Sequence, residues 1–223
     1  LRGEIARGDS VFHDLQGTKE EILKIEDLLK RNKWQVSSYM GKNGTEESFL
    51  NMHGKSPKLL HLATHGFYYT PNRAENVDYL KGYTDAMSLS GLVLSGGNAA
   101  WLGKPLPKGV LGGILSANDI ARLDLSNTDM VVLSACQTGQ GKATSEGLYG
   151  LQRAFKKAGV GTIIMSLWNV SDKTTSEFMT TFYERLADKK NAWNKRKAFE
   201  EAKEIIRQRH PDPFHWAAFV MLD

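Results

Sequence analysis

The sequence predicts an α/β fold with a mostly parallel central sheet, and three stretches carry that prediction. Residues 59–64, 130–133 and 162–167 are short runs rich in Leu, Ile, Val and Met that each pass into small, polar or glycine-rich residues. Such runs are how strands buried on both faces of a parallel sheet look where they leave the sheet. Segments with helical spacing lie between them, which implies βαβ crossovers.

In chain order, 11–16 reads as a strand end or linker. A helix follows over 18–33, with Thr18 as its cap, Glu20 and Glu21 in its first turn, and Ile22, Ile25, Leu28 and Leu29 at helical spacing. Residues 34–40 alternate apolar and polar side chains and predict a strand. After the turn Lys42-Asn43-Gly44, 45–53 reads as a short helix, and 59–64 as the strand that delivers His65. The stretch 67–113, rich in Gly, Asn and Tyr, is too long for a plain connector. It reads as an insertion with one or two short strands, the run Ser90-Gly91-Leu92-Val93-Leu94 being strand-like, and a mobile loop over 98–112, either a substrate wall or plain surface. Ser116 opens a helix over 116–123. A helix over 145–157 is capped by Ser145, with Leu148, Leu151, Ala154 and Phe155 as its buried stripe. Ser171 or Asp172 caps the next helix, to about residue 186. The last long helix spans 191–209 with Trp193, Ala198, Ala202, Ile205 and Ile206 on its apolar face, and 219–222 closes the chain as a strand. The expected organisation is a linker over 1–15 and one domain over 16–223.

The totals exclude several classes. A net charge of +4, from 29 basic and 25 acidic residues, is too balanced to argue for nucleic acid. No apolar run is long enough to span a membrane. A single cysteine excludes an internal disulfide framework and suits a reducing compartment, the cytoplasm. The chain begins at Leu1 without Met and reads as a piece of something longer. No spacing resembles a zinc or phosphate-loop signature, so no metal or cofactor is expected.

The chemistry converges on strand ends. The lone cysteine, Cys136, follows the run 130–133, and His65 follows 59–64. If these strands are parallel neighbours, imidazole and thiol emerge on one edge of the sheet, where α/β proteins bind ligands. An imidazole there can take the thiol's proton or stabilise its thiolate, the requirement of nucleophilic cysteine catalysis. The backbone N–H groups of Gly66 and Cys136 are candidate oxyanion donors, and a glycine at 66 keeps side-chain atoms off the attacked carbonyl. A lone buried cysteine that is only a small hydrophobe is the competing reading. Glu146 reads as a first-turn carboxylate favoured by its helix. His61 reads as a core histidine on the face opposite Thr64, and His13, His53 and His210 as surface residues. His215 and Trp216 read as packing for the terminal strand.

The ordered set of motifs is similar to the CHAT domain, a caspase-like domain often found beside tetratricopeptide (TPR) repeats and related to caspases and separases. The resemblance rests on His61-Leu62-Ala63-Thr64-His65-Gly66, Ser90-Gly91-Leu92-Val93-Leu94, Val131-Val132-Leu133-Ser134-Ala135-Cys136-Gln137-Thr138-Gly139, Glu146-Gly147-Leu148, Ser166-Leu167-Trp168-Asn169-Val170-Ser171-Asp172 and His215-Trp216-Ala217-Ala218-Phe219. It implies a caspase-like three-layer sandwich and a metal-free dyad of His65 and Cys136. It also implies a cysteine endopeptidase acting on a protein substrate, with a TPR or other repeat region upstream. Several such relatives cleave after basic residues, using an acidic group in the substrate pocket; Asp172 is the candidate, with helix capping as its alternative role. Two other functions stay open: a catalytically quiet caspase-like interaction or regulatory module, and a thiol transferase or amidase acting on a small molecule.

Overall fold

In chain order the elements are α1 (Gln16–Arg31), α2 (Glu46–Leu50), β1 (Leu59–Leu62), β2 (His65–Tyr68), α3 (Pro71–Ala74), β3 (Ser90–Val93), α4 (Gly97–Trp101), β4 (Ile114–Ser116), α5 (Ala117–Ile120), β5 (Met130–Leu133), α6 (Ser145–Lys157), β6 (Thr162–Ser166), α7 (Asp172–Ala187), α8 (Lys195–Arg209), α9 (Pro213–Trp216) and β7 (Phe219–Leu222). They come from a computed structural model that describes residues 12–13, 15–69, 71–75, 78–134, 145–168 and 170–223.

The central sheet has the order β1-β5-β6-β7. β1, β5 and β6 run parallel, and β7 returns antiparallel to β6. Because side chains alternate along a strand, each strand serves both faces. Met130, Val132 and Ile164 pack with α1, α7 and α8, through Ile25, Phe178, Phe182, Ala198 and Ile206. Val131, Leu133, Ile163 and Met165 pack with α5 and α6, through Ile120, Leu151, Ala154 and Phe155. The result is the expected three-layer α/β sandwich with its mostly parallel sheet inside. Every residue of β5 and β6 is buried, which is why neither shows a polar–apolar alternation in sequence.

Several elements differ from expectation. Residues 34–40 form no strand. Their alternation instead comes from Trp34 and Val36 resting on the α1/α7/α8 core, with Trp34 stacked on Trp193 at 4.1 Å between ring centroids. Helix α1 starts at Gln16 with Leu15 in the capping position, so Thr18 lies inside its first turn rather than capping it. The last long helix, α8, begins at Lys195, not 191. Ala192 and Trp193 adopt φ values of 45° and 61°, which breaks the helix there, and Asn194 caps the new one by accepting from Lys197 N–H at 2.9 Å.

The largest difference is in 67–113. β1 stops at Leu62, and His65 opens a further strand instead of a loop. That strand, β2, belongs to a 3-stranded antiparallel sheet of order β2-β3-β4. The stretch expected to be a mobile loop over 98–112 starts within α4, and α4 ends on Trp101, which is 2% exposed. Trp101 centres a cluster with Phe67, Leu80, Leu89, Val93 and Ile114. Gly91 lets Phe67 lie over β3: a Cβ there would sit 2.5 Å from Leu115 O and 2.8 Å from Phe67 Cζ. On the far side, Glu46 Oε2 accepts from Gly113 N–H at 2.8 Å, tying the segment back to α2.

Candidate functional site

β1 and β5 are adjacent and parallel, with Leu62 in register with Leu133. The ladder continues one step further, as Ser134 N–H donates to Leu62 O at 3.0 Å. β6 lies on the other side of β5, so Trp168 leaves the sheet at this same end. Cys136 is two positions beyond Ser134 and lies outside the described residues, as does its backbone N–H. The described chain therefore brings the exits toward His65 and toward Cys136 side by side.

At its exit the chain turns through Ala63 and Thr64. The Thr64 hydroxyl donates to Val93 O, which fastens the turn to β3. His65 then pairs with Val93 and Gly66 with Leu92. Further along, Tyr69 N–H donates to Leu89 O at 2.9 Å. In an antiparallel ladder, hydrogen-bonded and non-hydrogen-bonded pairs alternate. Counting back from Tyr69–Leu89, His65 and Phe67 turn their main-chain groups toward β3, and Gly66 turns its N–H away. β2 is the edge strand of its sheet, so this N–H points to the sheet's outer side.

The His65 ring is half-buried and lies against the chain's own N-terminal segment. His65 Nε2 is 2.5 Å from His13 O. A carbonyl oxygen only accepts, so Nε2 carries a proton and donates it. The Phe12 ring is tilted on His65 at 5.4 Å and stands edge-on to Trp101 at 5.1 Å. Asn98, which opens α4's exposed face, accepts from Phe12 N–H at 2.7 Å and donates to Phe12 O at 2.9 Å. His13 is exposed, as expected, and its carbonyl reaches the candidate site, a group its residue type does not advertise.

Asp172 comes four residues after Trp168, past the β6 exit. It is the first residue of α7, exposed, while Ser171 caps that helix by accepting from Thr174 N–H at 3.2 Å. Of the two capping expectations, Ser171 is the one realised. Asp172 lines an open cavity of about 710 Å³ between α1 and α7, together with Glu20, Lys24, Lys173, Glu177 and Arg209. His65 does not line it. Beside it, burial alone would raise the Glu177 carboxyl, but hydrogen bonds from His210 and Arg209 outweigh burial and hold it below the usual carboxylate range. His210, expected on the open surface, is engaged there at 2.8 Å.

A third constellation is buried under β1. His61 Nε2 meets Glu21 Oε1 at 2.8 Å, and His61 Nδ1 meets the Tyr183 hydroxyl at 3.0 Å. The His61 and Glu21 side chains are only 9% and 4% exposed. The arrangement is satisfied when Nε2–H donates to a Glu21 carboxylate and Tyr183 O–H donates to Nδ1. Burial, and the Glu21 charge, push the Tyr183 phenol well above its ordinary value, which keeps that hydroxyl a donor. His61 is a core histidine, as its strand position suggested. Its partners lie on α1 and α7, far away in sequence, and no local pattern points to them.

Among the described residues no cluster of three or more His, Cys, Asp or Glu side chains could hold a metal ion. No helix among them is long and apolar enough to cross a membrane. The sequence model of the CHAT domain family matches residues 5–223. Tetratricopeptide repeat protein 28 of Mus musculus is 32% identical over 111 residues, covering 49% of this chain and 4% of that protein. The Homo sapiens protein of the same name is 31% identical over the same length. The chain thus spans only a small part of the curated relatives it matches.

Proposed function

The chain belongs to the CHAT domain family, and on that premise we propose that residues 16–223 act as one domain, a caspase-like cysteine endopeptidase with His65 and Cys136 as its dyad. The observation that carries this reading is the parallel pairing of β1 with β5, which sends both segments off the same edge of the sheet. The Cys136 thiolate attacks the scissile carbonyl carbon, and the carbonyl electron pair moves to oxygen. Gly66 N–H and Cys136 N–H donate to that oxyanion. The outward orientation of Gly66 N–H supports this role, and one such donor is worth about 3 kcal/mol of transition-state stabilisation. The tetrahedral species collapses, the C–N bond breaks, and the His65 imidazolium gives its proton to the leaving amine. Neutral His65 then takes a proton from water, the hydroxide cleaves the thioester, and the thiol is restored.

Asp172 is the proposed acidic group for a basic substrate side chain, and its exposure at the start of α7, past the β6 exit, supports that role. A protein substrate, an upstream repeat region and a cytoplasmic setting belong to the same proposal; the repeat-bearing names of the relatives support the second. The test is a peptide library with wild-type chain and Cys136→Ala. Cleavage by the wild type and none by the variant is expected, with iodoacetamide modifying Cys136 far faster than a free thiol. Cleavage that survives the substitution refutes the reading. One observation favours the alternative, a quiet interaction module: the His13 carbonyl already holds His65 Nε2. Slow alkylation and absent cleavage that persist in Phe12→Ala, where the contact at His65 is released, identify that case.

A further inference from the structure

The contacts around Phe12 have the form of peptide recognition. Asn98 engages both main-chain polar groups of one residue, N–H at 2.7 Å and C=O at 2.9 Å. A neighbouring strand recognises an extended peptide through the same groups, and this contact is indifferent to the side chain. Selectivity comes from the ring. Phe12 packs between the imidazole of His65 and the indole of Trp101, at 5.4 Å and 5.1 Å. Trp101 is itself braced by Phe67 at 5.1 Å, Tyr69 at 5.6 Å and Tyr79 at 6.0 Å, so the wall is built without Phe12. The next carbonyl, that of His13, is the one His65 Nε2 holds.

We propose that His65, Asn98 and Trp101 form a subsite for an extended peptide bearing an aromatic side chain, and that Phe12–His13 of the chain itself occupies it in cis as a pseudosubstrate. Resting on the peptidase reading, the inference deepens it by naming what binds beside the dyad. With the strap seated, the Nε2 proton is committed to a main-chain carbonyl, and that nitrogen cannot take one from a thiol. The strap must leave before a peptide in trans enters. A segment of the same chain competes at a high effective concentration, so the intact protein holds the subsite closed to dilute peptide.

The test uses the full chain and a fluorescent peptide of the sequence of residues 9–15, followed by anisotropy. Phe12→Ala, which empties the ring site in cis, is expected to bind the peptide about tenfold more tightly than the wild type. Adding Asn98→Ala is expected to weaken that binding about tenfold, by removing two hydrogen bonds. A peptide with Ala in place of its Phe is expected not to bind. Equal binding by the wild type and Phe12→Ala, or no effect of Asn98→Ala, overturns the proposal. Imidazole NMR signals of His65 give a second measurement. Phe12→Ala is expected to shift them and the added peptide to return them; signals indifferent to both also overturn it. Neither readout needs turnover, so a chain that binds peptide but does not cleave refutes the peptidase reading and leaves the subsite standing.

Discussion

The buried chain Glu21–His61–Tyr183 gives a prediction whose size follows from geometry. Tyr183→Phe removes one oxygen and keeps a ring that packs on Phe182 at 5.2 Å and on His61 at 5.5 Å. The loss is confined to the hydrogen bond at His61 Nδ1, which leaves a buried acceptor without its donor and costs about 1–3 kcal/mol. His61→Ala does more. It strands the Glu21 carboxylate, whose side chain is 4% exposed, and leaving a buried charge without its partner costs about 3–5 kcal/mol. Glu21→Gln keeps the volume and an oxygen that accepts from Nε2–H, losing only the charge assistance, and belongs at or below the Tyr183→Phe value. Urea denaturation followed by tryptophan fluorescence measures all three, and thermal melts should fall by about 2–4 °C per kcal/mol for a chain of this size. The expected order of destabilisation is His61→Ala, then Tyr183→Phe, then Glu21→Gln. If His61→Ala costs no more than Tyr183→Phe, or Tyr183→Phe costs nothing, the polar chain is not what joins α1, β1 and α7.

Two further predictions bear on the rest of the fold. Gly91→Ala places a Cβ 2.5 Å from Leu115 O, a main-chain atom that cannot step aside, and should lower stability by about 1–3 kcal/mol or more in the same urea assay. Glu177→Gln tests linkage: the folded carboxyl is held low by His210 and Arg209, so its contribution is present above the unfolded pKa and is lost as pH falls through the lower folded one. Thermal melts should show the wild type ahead of the variant at pH 7 and the gap shrinking below the ordinary Glu value of 4.5; a gap that widens there contradicts the assignment.

What could be read in the sequence follows from which signals are local. The apolar runs of β5 and β6, the Ser116 cap and the closing strand β7 are each written in a few consecutive residues, and each forms where expected. Residues 34–40 misled because alternation reports which side chains are half-buried, not whether a neighbouring strand exists to pair with. Trp34 gains its burial from Trp193, which is held in a left-handed turn that no sequence period encodes. The antiparallel sheet was legible only in part: the run 90–94 marks β3, but β2 and β4 are too short to show a pattern, and the close packing that Gly91 permits is with residues far away in sequence.

The same division runs through the site. His65 and Gly66 stand out as candidates in the sequence because a histidine and a glycine after an apolar run are unusual residues in a recognisable place. The groups that decide the state of that histidine were not, because they are a main-chain carbonyl at 13 and a side-chain amide at 98, neither of which is chemically distinctive in sequence. The physical consequence is directional. A candidate imidazole is read from its residue type, but whether its Nε2 accepts or donates is set by the partner the fold puts against it. Here that partner is a carbonyl of the same chain, so the proton sits on the ring's outer nitrogen until Phe12 leaves its aromatic seat. Control of the proposed site therefore lies in how strongly three hydrogen bonds and one ring hold a segment of the N-terminal region, a quantity that a competing peptide can change.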